Sequence, residues 1–542
     1  MKEKNNQIVV ISGNDLKESA ATVAGYGKRK SFEIINDFIY NNTKIDRVLI
    51  LYGLRRTGKT TLIWQTINEM QDIDASRSAY ILINNTDCLG ELNKQLQYLY
   101  ENNIKYIFID EITRMQDFID GSSLLSDIYA RRGMKIVLSG TDSLGFMFAS
   151  DDQLYNRCHI IHTTIIPYYE YNSIFHINSI DKYIHHGGTM CSDIDVMHPF
   201  HDINTARKYT YTAIINNIIH SLRNYHYEKR IIGLRKLYES EELGNAINRI
   251  IEDTNHNFFV KTLTKDFISN DLSRSQSVIR TKETSYSLIL DKIDKEKVIK
   301  HIMSKLDIRN NFSINGKFKN KIKITQDNVE EIKEYLIMLD LIREINEYMI
   351  LKNGTLTKGS RILISQPGLR YCQLEALISS LQADYTINQS IKSDKRALFA
   401  HIRNIVKGCM LEDIILFETM IANENKEVFV LKFFQSGEFD MVIQDINNFE
   451  CEIFEIKHSS NIFNEQYKHL SNENNCNITE QCFGKIIGKY VLYNGCTKKV
   501  SDLNIKYINI EQYLNNLYEK KCSLRDLPET SQTISEMKSD DI

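Results

Sequence analysis

The sequence predicts an α/β chain of several domains, and three observations carry that prediction. Residues 46–175 alternate short apolar runs with helix-length amphipathic segments, the pattern of parallel strands buried on both faces. Residues 371–525 open with helical text and then return to strands. Between these regions the spacing is helical and turn signals are few. At about 150 residues per domain, a chain of 542 residues holds three or four domains.

The elements follow in order. A lead-in, 1–45, precedes the first strand. RVLILYG, SAYILINN, YIFIDEI, MKIVLSG and CHIIHTTII are the strands expected of a first domain, 46–175. A helical insert or lid rich in Tyr, His and Ile occupies 176–260. The stretch 261–370 is helical and ends in LIREINEYMILKNGTL, where Asn353-Gly354 signals a hairpin turn. Asp327 or Asn328 is placed to cap the helix before that hairpin. VFVLKFF, FDMVIQ, CEIFEIK, YVLYNG and IKYINI are the strands of 371–525, and the polar tail 526–542 reads as disordered.

Composition excludes several classes. With 42% hydrophobic and 25% charged residues the chain reads as globular. Four prolines exclude Pro-rich linkers, so helices or short polar loops must join the domains. A net charge of -3 excludes a globally basic nucleic-acid coat, yet it conceals a bias. Residues 201–326 carry 23 Lys and Arg against 14 Asp and Glu, which is either a solvated helical surface or a face for phosphate backbone. Ten cysteines without a CxxC pair fit neither a zinc ribbon nor a disulfide scaffold, and suit a reducing compartment. No stretch approaches the roughly 18 apolar residues of a membrane span. A cytoplasmic protein without membrane contact is expected. His185, His186, His198 and His201 crowd near Asp193, Asp195 and Asp202, but their spacing matches no metal motif and reads as surface histidine.

One motif dominates. Gly53-Leu54-Arg55-Arg56-Thr57-Gly58-Lys59-Thr60 fits G-x-x-x-x-G-K-[ST], follows a strand and precedes the helix-like TTLIWQTINEM. Gly53 and Gly58 let the backbone N–H groups, those of Arg56 and Thr57 included, turn inward around phosphate oxygens. Thr61 continues the loop into the helix, whose N-terminus favours the anion. Lys59 is expected to reach the β and γ phosphates of ATP, and the Thr60 hydroxyl to hold Mg²⁺. The apolar strand Tyr106–Ile109 ends in Asp110-Glu111. Asp110 is placed for the Mg²⁺ shell, and Glu111 to orient or deprotonate the attacking water, which favours hydrolysis over mere binding. Ser139 or Thr141, at the end of the next strand, is placed to sense the γ-phosphate. Arg157 either supplies charge to that phosphate or is a surface arginine.

The order GLRRTGKTTL, YIFIDEI, KIVLSGTDSL, LYNRCHIIHTTIIPYYEY resembles a family of prokaryotic AAA-type ATPases, with the P-loop and the acidic strand as Walker A and Walker B. Members pair that core with a C-terminal domain similar to PD-(D/E)xK nucleases. Arg157 and Pro167 match the family; Asn156 replaces its usual Gly, and HTTIIPYYEY replaces a Pro-Leu-Ser-Phe-like stretch. The resemblance implies a winged-helix-like unit within 261–370, suited to DNA or to packing against neighbours. It also implies a connector at Pro367 to Arg370, and a restriction-endonuclease-like α/β domain over 371–525. Oligomers or a partner-gated switch are implied too, with Arg157 acting in cis or on a neighbour.

In such a nuclease core an Asp and a Glu on neighbouring strands converge on Mg²⁺ or Mn²⁺, and a Lys two residues past the Glu activates water. Gly437-Glu438-Phe439-Asp440 opens one strand, and Glu455-Ile456-Lys457 lies in the next. E-x-K occurs five times in the chain, and only Glu455 lies in a strand preceded by a strand with Asp. Glu412 matches the helical glutamate that completes the metal set. Gln466 is placed to orient the lysine or touch a phosphate. The expected function is ATP hydrolysis whose nucleotide state regulates a nuclease-like domain acting on DNA. The alternative is a regulatory ATPase switch whose C-terminal domain is a non-cleaving interaction or DNA-binding module.

Overall fold

The computed structural model describes residues 8–41, 47–141, 145–146, 149–150, 153–163, 165–190, 202–224, 232–268, 325–383, 395–500, 504–519 and 524. The tail 526–542, His198, His201, Asp193, Asp195 and much of the basic middle lie outside them. The chain divides into two compact units. The first gathers residues 1–177, 186–251 and 318–341; the second gathers 178–185, 252–317 and 342–542.

In the first unit β1 (Val9–Ser12), β2 (Val48–Tyr52), β3 (Ser78–Leu82), β4 (Tyr106–Asp110), β5 (Lys135–Gly140) and β6 (Cys158–His162) form one sheet. Their order is β1-β3-β4-β5-β2-β6. The five strands read from the sequence are all there and pair in parallel, with Leu49 against Val137, Tyr106 against Lys135 and Val48 against Cys158. The residues of β2, β4 and β5 are buried because helices cover the sheet, which is why those runs read as continuously apolar. Helices Asn14–Ala21, Ser31–Tyr40 and Lys59–Glu69 close one core over Leu49, Leu51, Phe108 and Val137. β1 adds an antiparallel edge that its four half-exposed residues did not announce. Because β5 lies between β2 and β4, the strand after the acids enters between the P-loop strand and the acidic strand.

In the second unit β7 (Ile342–Ile350), β8 (Leu356–Ile364), β9 (Glu427–Phe433), β10 (Gly437–Asp445), β11 (Glu450–Lys457), β12 (Lys485–Tyr493), β13 (Lys498–Val500) and β14 (Ile505–Asn509) build an eight-stranded sheet. Its order is β13-β14-β12-β11-β10-β9-β7-β8. The hairpin turn forms at Asn353-Gly354, with Gly354 at φ +79°. The hairpin is not a separate wing, however. β7 pairs in parallel with β9, Tyr348 facing Leu431, so the hairpin extends the C-terminal sheet. The helix before it, Gln326–Met338, falls in the first unit. Residues 269–324 of the expected winged-helix unit over 261–370 lie outside the described residues, and of the rest the helix Gln326–Met338 and the hairpin fall in different units. The cap of that helix is also reassigned: Thr325 is the N-cap, and Asn328 closes a capping box from the third helical position.

Candidate nucleotide site and C-terminal acidic site

The P-loop runs from the end of β2 into helix Lys59–Glu69. Gly58 sits at φ +87° and Arg56 at φ +63°, so the loop turns through the left-handed region twice, once at a residue with a side chain. Thr57 is buried, and its hydroxyl donates to the Leu54 carbonyl at 2.8 Å. Lys59 folds back on the loop, its Nζ donating to the Gly53 and Leu54 carbonyls at 2.9 and 2.8 Å. Burial pushes its ammonium down to about 8; Glu111 and Asp110 oppose that shift, and Arg29 and Arg55 add to it.

Asp110, buried at the end of β4, is the hub. Its Oδ2 accepts the hydroxyls of Thr60 and Tyr80, each at 2.8 Å. Its Oδ1 accepts the Ser139 hydroxyl and, at 3.0 Å, the Glu111 N–H. Glu111 stands at φ +58°, with the Thr141 hydroxyl donating to its Oε2 at 3.4 Å and Arg114 at 3.5 Å. Ser139 therefore braces the Asp, whereas Thr141 stands beside the Glu. Thr61 follows in the first turn of the helix.

Four partners of this site were not legible in the sequence. Arg29, from the lead-in, is buried; it donates to Glu170 at 2.7 Å, to the Thr57 carbonyl at 2.5 Å and to the Ile165 carbonyl. Tyr80 carries the Trp64 ring against its own, centroids 4.2 Å apart. Met190 donates its N–H to the Arg56 carbonyl at 2.6 Å, and Tyr209 its hydroxyl to the Arg55 carbonyl at 3.2 Å. These contacts join strands or segments far apart in sequence, so no local pattern betrays them.

Arg157 is elsewhere. It precedes β6, at the strand-start edge of a sheet whose P-loop leaves the strand ends. Its guanidinium pairs with Asp127 at 2.8 Å. Five residues of strand, about 16 Å, separate the two edges, so the expectation that Arg157 serves the γ-phosphate of its own P-loop is corrected.

The second unit holds the other cluster. The Met441–Phe454 pair of β10 and β11 sets Asp440 and Glu455 opposite each other one step on. Lys457 Nζ lies between them, 2.9 Å from Asp440 Oδ2 and 2.5 Å from Glu455 Oε2. Asp440 also accepts the Ile456 N–H at 2.8 Å. Burial, with the neighbouring Asp440 adding to it, raises the Glu455 carboxyl well above the usual range against the opposing pull of Lys457. Glu412 does not join: it lies 3.9 Å from Arg361, beside Asp413, which pairs with both Arg361 and Arg370. Among the described residues, no three His, Cys, Asp or Glu side chains gather as a metal site. Gln466 is spent on its own loop, donating to Ser459 and to the Asn461 carbonyl. His185 stacks on Tyr371, centroids 4.0 Å apart.

Residues 46–172 match the family described as the AAA domain. The nucleotide-binding segment is an AAA-type P-loop ATPase domain. It accounts for less than a quarter of the chain. No curated protein matches the chain. Among solved structures it is similar to PCH-2 of C. elegans at 16% identity, covering 40% of this chain and 63% of that one, with a TM-score of 0.21. The S. cerevisiae Hsp104–ADP complex is similar at 13%, covering 75% and 54%, TM-score 0.22. The Aeropyrum pernix ORC1 protein in complex with DNA is similar at 14%, covering 67% and 94%, TM-score 0.18. The chain thus spans under two thirds of the length of the first two. No helix among the described residues is long and apolar enough to cross a membrane.

Proposed function

We propose that this chain binds and hydrolyses ATP with Mg²⁺, and that its nucleotide state regulates a nuclease-like C-terminal unit acting on DNA. One observation supports the ATPase reading above the rest: the P-loop hydroxyl of Thr60 and the carboxylate of Asp110 meet at 2.8 Å, with Glu111 next in the chain. A hydroxyl and a carboxylate so paired are a donor set suited to Mg²⁺, which when bound neutralises phosphate charge. Lys59 leaves the loop carbonyls for the phosphate oxygens. The backbone N–H groups of Gly53 to Thr61 cradle those oxygens, and Glu111 orients the attacking water and takes its proton. Thr141, beside Glu111, reads the loss of the γ-phosphate. Arg157 serves a neighbouring copy or a partner, since it lies on the far edge from its own P-loop.

For the C-terminal unit, Asp440, Glu455 and Lys457 are the residues that the nuclease resemblance assigns to cleavage with Mg²⁺ or Mn²⁺. Two carboxylates bridged by an ammonium, with Glu412 held by Arg361, do not make up that donor set, so no cleavage step is drawn from them. This arrangement favours a second reading, in which Lys457 takes the place of a metal cation and the unit binds without cutting.

Two assays test the proposal. Phosphate release is expected to vanish in Lys59→Ala and to fall at least about 100-fold in Glu111→Gln; unchanged turnover in either overturns the ATPase assignment. Plasmid incubated with Mg²⁺ or Mn²⁺ separates the two readings of the C-terminal unit: nicking by the wild type and not by Lys457→Ala selects the nuclease. Nicking by neither protein under any nucleotide selects the non-cleaving reading.

A further inference from the structure

Three successive peptide groups of the P-loop are held from outside, each by a different segment of the first unit. The Arg55 carbonyl accepts the Tyr209 hydroxyl at 3.2 Å, and the Arg56 carbonyl accepts the Met190 N–H at 2.6 Å. The Thr57 carbonyl accepts Nη1 of Arg29 at 2.5 Å. The next carbonyl, of Gly58, accepts the Leu62 N–H at 2.8 Å and begins the helix. Tyr209 comes from the helix Ile203–Thr210, Met190 from residues 186–190 and Arg29 from the lead-in.

In a trans peptide the C=O of one residue and the N–H of the next point opposite ways. Holding the carbonyls of 55, 56 and 57 outward therefore aims the N–H groups of Arg56, Thr57 and Gly58 to the other side of the loop, where a phosphate cradle needs them. Left to itself the loop would resist this shape, since Arg56 stands at φ +63°, a conformation disfavoured for a residue with a Cβ. The carbonyls of Gly53 and Leu54 are held differently. Both accept Lys59 Nζ, which must leave them when it turns to a phosphate. The three outer donors lie off the phosphate side and keep their acceptors through that exchange.

Arg29 is the most constrained of the three. Its side chain is 6% exposed, and Nε donates to Glu170 Oε2 at 2.7 Å, while Glu170 Oε1 accepts the Lys30 N–H at 2.9 Å. Nη1 also reaches the Thr163 carbonyl at 3.3 Å, and Nη2 the Ile165 carbonyl. A guanidinium is a rigid planar fork, so fixing Nε on Glu170 fixes where Nη1 points. A lysine would keep the charge and the pair with Glu170, but has no fork with which to hold the loop as well.

We propose that Arg29, with Met190 and Tyr209, is a positioning residue for the nucleotide: together they hold the P-loop peptides with their N–H groups facing the phosphates, so that the cradle is formed before ATP arrives. The proposal rests on the ATPase reading above.

The test measures ATP binding, ATP turnover and melting temperature for the full chain as wild type, Arg29→Lys and Tyr209→Phe. Arg29→Lys is expected to raise both Kd and KM for ATP by at least about tenfold, the scale of one charge-assisted hydrogen bond. Its kcat at saturating ATP is expected to fall by no more than about threefold, because the cradle grips ground state and transition state alike. Tyr209→Phe loses one neutral hydrogen bond, leaves the Arg29–Glu170 pair in place, and is expected to raise Kd and KM by about threefold. A role confined to folding would lower the melting temperature and leave the Kd of the folded protein where it was. An unchanged Kd in Arg29→Lys therefore overturns the proposal, and so does a collapse of kcat at unaltered KM. Should Arg29→Lys not fold, Tyr209→Phe decides alone, and a wild-type Kd in it overturns the proposal. A wild type that binds no ATP is a different result: it sinks the ATPase reading, and this proposal with it.

Discussion

At the scale of single residues, the nucleotide site is organised by what reaches Asp110. Its Oδ2 is shared by Thr60, from the P-loop, and Tyr80, from β3. Outer hydrogen-bond partners of a metal-binding carboxylate typically govern affinity by 10- to 100-fold. Tyr80→Phe is therefore expected to raise the Mg²⁺ concentration for half-maximal ATP turnover by about tenfold, with folding intact; a superimposable Mg²⁺ titration would refute it. Trp64, packed on Tyr80, gives the same titration a fluorescence readout. Lys59 sets a pH dependence. Its pKa is lowered to about 8 in the free site, and the negative charge of a bound phosphate is expected to raise it again. Above that pH, binding must take up a proton, so the Kd for ATP is expected to climb between pH 8 and 10, by up to about tenfold per unit. A Kd flat over that window would show that Lys59 stays charged. The motif residues were legible because a phosphate cradle is contiguous in sequence. Arg29, Tyr80 and Met190 were not, because pairing across the sheet and folding of distant segments bring them in. Arg157 was recognisable as a candidate, but which strand end it occupies is a fact of topology.

At the scale of elements, strands alternating with helices announced themselves, and the edge strands β1 and β13 did not: β13 is only KKV, and β1, apolar as VVIS is, lies in the lead-in outside that alternation. Turn glycines differ in kind. Gly354 closes the β7–β8 hairpin at φ +79° with open space where a Cβ would stand, so Gly354→Ala is expected to cost only about 1 kcal/mol. Gly484 ends the helix Glu473–Phe483 at φ +94°, and a Cβ there would lie 2.1 Å from the Phe449 carbonyl oxygen. That overlap is with backbone, which cannot swing aside, so Gly484→Ala is expected to cost more than about 2 kcal/mol. Urea unfolding of the two variants checks the ranking, and equal midpoints would contradict it.

At the scale of the whole molecule, chain order and compact units do not coincide. The sequence placed a boundary near residue 371, because the hairpin before it and the helices after it differ in character. Pairing of β7 with β9 crosses that boundary, and no local signal foretells a partner some eighty residues away. The buried ion network crosses it too: Asp413 on helix Lys395–Ala422 is held by Arg361 from β8 and by Arg370. A chain of residues 371–542 would lack β7, β8, Arg361 and Arg370. It would expose the edge of β9 and leave Asp413 as a buried carboxylate with neither arginine, and breaking such a pair typically costs about 3–5 kcal/mol. That fragment is expected to aggregate on expression, whereas 342–542, which restores the hairpin and both arginines, is expected to be the more soluble and to melt at the higher temperature. If 371–542 instead melts cooperatively at the temperature of the longer fragment, the hairpin is an appendage of the second sheet and not part of its fold.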